Sequence, residues 1–339
     1  MFKYKECAMN IKPTLNSSLS VLSLVLLTSQ VPSNAQQILG WGDNSFHEVS
    51  AIPTGSDYID VTASLGAGVA LRSNGSLVAW GDDLYNVKAN LPSGNDFVSI
   101  FGDIYNCVAL TTNGSIKVFG TNQDGMISNA PTGTGFTFIT AGSNDIYALR
   151  ADGSIAAWGD NTYHEVSNAP TGTGYLGVAG GYFYGLAIKS DGSLTGWGFD
   201  GYGQVSNIPT GHDFIAVAAN DNTGYALTSD GHIDVWGQNT YGEVTDAPTG
   251  GGFKELLPAG STGYALAANG SVVAWGDNSY DKVSGAPSGS GYTDLGSGRA
   301  SAYVLTNVST PEPGPGAWAF AASVFSGAFS FVRRRRLNK

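Results

Sequence analysis

An all-β, seven-bladed β-propeller built from 39-residue repeats is the fold that this 339-residue sequence predicts, and three periodic features predict it. A Trp-Gly step recurs every 39 residues at Trp41, Trp80, Trp158, Trp197, Trp236 and Trp275, with Phe119 in the remaining place. Prolines keep the same interval at Pro53, Pro92, Pro131, Pro170, Pro209, Pro248 and Pro287, as do the Ala-Leu-like pairs ending at Leu71, Leu110, Leu149, Ile188, Leu227, Leu266 and Leu305. A fixed period of roughly 20–50 residues marks a solenoid or a propeller.

Each unit reads as four short strand candidates separated by turn residues. Asn74-Gly75, Asn113-Gly114, Asp152-Gly153, Asp191-Gly192, Asp230-Gly231 and Asn269-Gly270 each lie between two alternating apolar runs. Such pairs supply the positive φ values of tight hairpins, so the second and third strands are adjacent and antiparallel. Pro followed by Thr-Gly or Ser-Gly breaks the sheet after the fourth candidate and passes the chain to the next unit. Helical periodicity is absent from the repeats. Four antiparallel strands repeated radially make a propeller.

The ends of the array predict how it closes. The repeats begin at a third strand, Gln37 to Trp41, and stop after a second strand, Tyr303 to Leu305. These halves complement each other, so one composite blade joining residues 291–307 to 37–50 completes the ring with no free sheet edge.

Outside the array, residues 1–35 read as a signal peptide. Lys3, Lys5 and Lys12 form its basic region, Leu19 to Leu27 its apolar core, and Ser33-Asn34-Ala35 a small-residue cleavage site. An internal start at Met9 or an uncleaved anchor are the alternatives. After the propeller (36–307) come a linker (308–316) carrying Pro311, Glu312 and Pro313, an apolar segment (317–332) expected as a transmembrane helix, and a basic tail (333–339) that opens with four arginines. An apolar run of 16 residues is short against the ~20 needed to span a bilayer, which suits a temporary stop. The arginines place the tail in the cytoplasm and the repeats outside.

The formal charge of −11 hides an asymmetry: residues 36–311 hold 25 acidic against 8 basic residues, a net of −17. Nucleic acid is thereby excluded as a partner, and basic protein surfaces or divalent cations fit better. Cys107 stands alone in the mature domain, so no intrachain disulfide forms. It precedes Val108-Ala109 where four of the seven units carry Gly, which predicts a small buried thiol.

The pattern Ala-Gly, Tyr-Ala-Leu, Asp-Gly-Ser and Ala-Trp-Gly-Asp-Asn, as at Ala157 to Asn161 and Ala274 to Asn278, resembles the regulator of chromosome condensation repeat over residues 37–307. The Ala-Trp-Gly-Asp-Asn form is most similar to the bacterial version seen in beta-lactamase inhibitor protein II. The resemblance implies a seven-bladed propeller. Family repeats often carry His four residues before the Leu, whereas this chain has Ala67, Asn106, Asp145, Tyr184, Thr223, Thr262 and Ser301 there, so family-specific contacts do not carry over. The Pro-Glu-Pro, apolar and arginine order of the last segment resembles the PEP-CTERM sorting signal, which implies processing by an exosortase-type enzyme at the inner membrane and release to the cell surface or matrix.

One rim of the ring receives the near-constant Asp-Gly hairpins and Pro-Thr-Gly links. The other receives the turn after the first strand, the most variable segment of the unit, and the turn after Trp-Gly. Variation confined to one rim of a repeat scaffold is what a binding surface shows. The candidate contacts are Tyr105, Asn106, Asp145, Tyr182, Phe183, Tyr184, Asp221, Asn222 and Arg299, with the aromatics as anchors. The competing reading is that some of these rings plug the central channel.

No chemistry stands out. His47 and His164 share an offset three units apart, nearly opposite in a seven-fold ring, and no zinc spacing or nucleophile elbow occurs. Asp43-Asn44, Asp160-Asn161 and Asp277-Asn278 lack the spacing of a calcium loop and read as hydrogen-bonded turns. The expectation is an exported, non-enzymatic propeller with no cofactor or metal, binding a protein of the envelope or matrix. Exopolysaccharide binding is the alternative, with β-lactamase inhibition and nucleotide exchange behind it as activities that the resemblance implies.

Overall fold

The computed structural model describes residues 36–307. The expected signal peptide, Pro-Glu-Pro motif, apolar segment and basic tail lie outside the described residues. Among the described residues no helix is long and apolar enough to cross a membrane.

Seven three-stranded antiparallel sheets form the blades. The first consists of an inner strand β2 (Tyr58–Ser64), a middle strand β3 (Ala67–Arg72) and an outer strand β4 (Leu77–Gly81). The same order recurs in β5–β7 (Phe97–Gly102, Asn106–Thr111, Ile116–Gly120), β8–β10 (Phe136–Ala141, Asp145–Arg150, Ile155–Gly159) and β11–β13 (Tyr175–Gly180, Tyr184–Lys189, Leu194–Gly198). It continues in β14–β16 (Phe214–Asn220, Thr223–Thr228, Ile233–Gly237) and β17–β19 (Phe253–Leu256, Thr262–Ala267, Val272–Gly276). The seventh blade is composite, as expected: β20 (Tyr292–Ser297) and β21 (Ser301–Asn307) pair with β1 (Gln36–Gly42), Gln36 facing Asn307 and Gly42 facing Ser301.

Inner strands of adjacent blades touch around the ring and enclose the central cavity. A bulge at the second residue of every inner strand shifts its register, as between Tyr58 and Asp60, and bends the strand. Middle strands are almost wholly buried, since each is flanked by two strands and covered by both neighbouring blades. Apolar residues at alternate positions therefore fill both faces, and seven separate clusters form between blades instead of one central core.

The repeated tryptophans belong to these clusters. Trp80, Trp197, Trp236 and Trp275 lie across from Gly68, Gly185, Gly224 and Gly263, where a Cβ would enter the indole ring. In the second blade the smaller Phe119 faces Cys107, and the thiol fits in the volume the indole would have taken. Cys107 is fully buried, as its small neighbours predicted. The indole N–H of Trp80, Trp158, Trp197, Trp236 and Trp275 donates to the carbonyl of the residue 32 positions earlier, in the preceding unit, at 2.7–2.9 Å.

The fourth strand candidate is corrected by the structure. That segment is a tight turn in every unit, because side chains take the place of a β-ladder. Asn161 Oδ1 accepts the N–H groups of Val166 and Ser167, and Asn44, Asp83, Asn122, Asp200, Asn239 and Asn278 repeat the arrangement. These Asn and Asp carboxamides and carboxylates are thus turn formers.

Candidate functional site

The turn after the outer strand sets the geometry of the variable rim. Its residue at the position of His47 adopts a left-handed conformation in all units (His47, Asn86, Gly125, His164, Gly203, Gly242, Asp281), which folds the chain back sharply. Two residues after the rim aromatic, a buried side chain reaches back to hold the turn. Glu48, Glu165, Gln204 and Glu243 accept the N–H of Phe46, Tyr163, Tyr202 and Tyr241 at 2.7–3.0 Å. Burial pushes the carboxyls of Glu48 and Glu165 above their ordinary range. The turn has one consequence for its aromatic: the backbone is fixed and the ring points outward. Tyr163, Tyr202, Tyr241 and Tyr280 are 43%, 51%, 54% and 61% exposed.

In the third and fourth blades these rings meet the variable turn between inner and middle strands. Tyr182 packs on Phe183 with centroids 4.1 Å apart, Phe183 on Tyr163 at 5.0 Å, Tyr163 on Phe199 at 5.0 Å and Phe199 on Tyr202 at 6.4 Å. The result is a continuous five-ring ladder on the rim. Phe183 holds a left-handed conformation with φ of 66°, which turns its ring toward Tyr163. A separate pair, Tyr85 of the first blade and Tyr105 of the second, packs edge to face at 4.9 Å.

The candidate residues read from sequence separate into two groups. Tyr182, Phe183 and Tyr105 are half-buried rim residues in the aromatic contacts above. Asp221 is half-buried beside them, its carbonyl accepting the Tyr182 N–H at 2.7 Å. Asn222 is also half-buried, with Nδ2 donating to Gln238 Oε1 at 2.8 Å. Arg299 is exposed, but on the seventh blade, away from the ladder.

Asn106, Asp145 and Tyr184 are corrected: each begins a middle strand and points inward, leaving it at most 1% exposed. The Tyr184 hydroxyl donates to the Thr223 carbonyl at 2.7 Å, and the Tyr147 hydroxyl donates to Asp145 Oδ2 at 2.7 Å. Burial holds the Asp145 carboxyl well above its usual range. These three support the rim from below. Tyr163, Phe199 and Tyr202, which the structure adds, carried one legible signal: an aromatic at Phe199 stands where the other units have Asp, Thr or Gln.

The central cavity, of about 1550 Å³, is lined by all seven inner strands. At the position after the bulge the units carry Asp60, Ser99, Phe138, Gly177, Ala216, Glu255 and Asp294, so three carboxyls fall on three adjacent blades. Glu255 Oε1 accepts the Leu295 N–H at 3.0 Å, and Asp60 Oδ2 accepts the Ile100 N–H at 3.1 Å. Burial and the neighbouring Asp294 raise the Asp60 and Glu255 carboxyls, and burial lifts Asp294 to about 6. Among the described residues no group of three His, Cys, Asp or Glu side chains is placed to hold a metal.

Seven closed three-stranded antiparallel blades make a seven-bladed propeller whose fold is similar to that of regulator of chromosome condensation proteins. The model of the regulator of chromosome condensation (RCC1) repeat matches residues 214–243. The fold is similar to Prp20p of Saccharomyces cerevisiae (TM-score 0.67, 15% identity, covering 87% of this chain and 96% of that one). It is similar also to human WBSCR16 (TM-score 0.66, 13% identity, 80% and 99% covered) and to the ectodomain of the receptor kinase CR4 of Physcomitrella patens (TM-score 0.60, 22% identity, 70% and 66% covered). No curated protein sequence matches the chain.

Proposed function

We propose that this protein is an exported, non-catalytic docking module that binds a protein of the cell envelope or matrix through the aromatic side of its variable rim. The five-ring ladder carries this reading: large rings held at the surface by a buried hydrogen-bonded frame lose little freedom on binding, which is how hot-spot residues work. Prp20p, which shares the fold, binds Gsp1p and histones, so protein docking lies within the reach of this architecture.

The route of the chain supports presentation at a surface. Gln36 and Asn307, the first and last described residues, pair on the hairpin rim, opposite the ladder, which leaves the aromatic rim clear of both chain ends of the propeller.

The test is capture from the producing cell's envelope and matrix with the full-length protein and with Tyr182→Ser/Phe183→Asn, the pair found at Ser143 and Asn144 in the preceding unit. Asn tolerates the left-handed backbone at position 183, and the buried Tyr184 is left in place. A protein retained only by the unaltered rim supports the reading. Equal retention by both forms, or retention of polysaccharide alone, overturns it.

A further inference from the structure

We infer that the ladder of Tyr182, Phe183, Tyr163, Phe199 and Tyr202, together with the carboxylates of Asp160, Asp200 and Asp221, docks an arginine-bearing extended segment of the partner protein. This rests on the reading above and adds the chemistry of the partner. Its first ground is charge on this arc of the rim. From Gly142 to Phe253 the chain carries only two Lys or Arg residues, Arg150 and Lys189. Both end middle strands, on the hairpin rim away from the ladder. The aromatic side of these three blades therefore holds no Lys or Arg.

Its second ground is the position of the acids. Asp160 lies three residues before Tyr163 in the same turn, Asp200 follows Phe199 directly, and Asp221 bonds to Tyr182 through its main chain. Asp160 and Asp200 each commit Oδ1 to backbone N–H groups of their own turn, which fixes the carboxylate in place. Carboxylates carried on the same rim turns as these rings suit a guanidinium, which is planar, weakly hydrated and able to lie over a ring while bonding to an acid at its edge. The molecule already uses this contact: Arg150 lies over Phe136 at 4.5 Å and Arg72 over Tyr58 at 5.3 Å. An ammonium has the charge without the plane, so lysine serves less well.

The experiment titrates the full-length protein against three fluorescent nonapeptides of equal length, rich in Arg, Lys or Glu, by anisotropy at low and physiological salt. The Arg peptide binds, the Lys peptide binds severalfold more weakly, and the Glu peptide does not bind. Phe183→Asn/Phe199→Gln, which removes two rings without altering charge, weakens the Arg peptide about tenfold or more. Asp160→Asn/Asp200→Asn/Asp221→Asn, which keeps the turn acceptors, weakens it and flattens its salt dependence. Failure of the Arg peptide to bind overturns the inference, and so does equal binding to the two-ring variant, which would mark diffuse attraction to an acidic domain. If the envelope capture still retains a protein that needs Tyr182 and Phe183, the docking reading survives that failure and only the cationic partner is lost.

Discussion

The indole nitrogen of Trp41 donates to the carbonyl oxygen of Lys282 at 2.9 Å, linking residues 241 positions apart in the chain. It is the bond that five other tryptophans make to the unit 32 residues behind them, here made across the joint where the last unit meets the first. The Tyr264 hydroxyl donates to the same carbonyl at 3.0 Å, and its ring meets Trp41 edge to face at 5.5 Å. Propeller closure is therefore more than strand pairing by β1. It also repeats the side-chain lock that joins every other pair of blades except one, where Phe119 has no N–H to give.

Trp41→Phe keeps most of the ring and removes the donor. Because a buried hydrogen bond contributes about 1 kcal/mol and the Lys282 carbonyl keeps the Tyr264 hydroxyl as a donor, chemical denaturation should show a loss of about 1 kcal/mol. Trp41→Ala removes the ring as well, and the expected loss is about 3–5 kcal/mol. A Trp41→Phe protein as stable as the original would mean that strand pairing alone closes the ring.

Glu165 holds the Tyr163 turn through Oε2 while its carbonyl accepts from Trp197 and Tyr147. Glu165→Gln retains an acceptor, as Gln204 does beneath Tyr202, and should change stability by less than about 0.5 kcal/mol. Glu165→Ala frees the part-buried Tyr163 N–H and removes a buried side chain, and should cost about 1–2 kcal/mol in thermal or chemical unfolding. The same variant should weaken partner binding, since Tyr163 is the centre of the ladder.

The channel carboxyls give stability a pH dependence whose sign follows from their shifts. Asp60, Glu255 and Asp294 are raised on folding, so the folded state holds their protons more tightly than the unfolded chain does. Their stabilising share is fully present below the ordinary carboxyl range of about 4 and is lost as pH rises through the folded values, which for Asp294 is about 6. Asp294→Asn should therefore gain stability relative to the original protein at pH 8 and lose that advantage near pH 4. The three groups line the central cavity and are partly exposed, so the gain is on the order of 1 kcal/mol. Denaturation midpoints of the two proteins across this range measure it, and a constant difference would show that the carboxyls do not titrate in folding.

Cys107 is buried against Phe119, and burial with the nearby Asp103 raises its thiol further. A disulfide reagent should leave Cys107 of the native protein unmodified over hours and label it at once in denaturant, as read by peptide mapping that separates it from Cys7. Rapid labelling of Cys107 in the folded protein would show that the second blade opens.

The period was legible because each blade solves one packing problem in the same way, so Trp, Pro and Asn-Gly or Asp-Gly recur at fixed places. The composite blade was legible from the unmatched halves at Gln37 and Leu305. The fourth strand was not, because its His-Glu-Val stretch has strand-like residues while the deciding group, Asn161, lies five residues upstream and acts through its side chain. At the rim, strand alternation turns Tyr184, Asn106 and Asp145 inward, although their neighbours Phe183 and Tyr105 stay outside. Tyr163 and Tyr202 escaped notice for the opposite reason: an aromatic that recurs in nearly every unit looks like core, and only the left-handed residue after it shows that the chain turns away. Asp60, Glu255 and Asp294 are scattered in sequence and meet only because the first and last blades adjoin.

Partner-dependent footprinting tests the central claim most directly. The full-length protein is exposed to hydroxyl radicals alone and with the captured envelope protein, and oxidation is read at each aromatic residue. Protection of Tyr163, Tyr182, Phe183, Phe199 and Tyr202, with Tyr292 near the hairpin rim unaffected, is the predicted result. Protection at the hairpin rim with the ladder still oxidised would contradict the account and place binding on the opposite face.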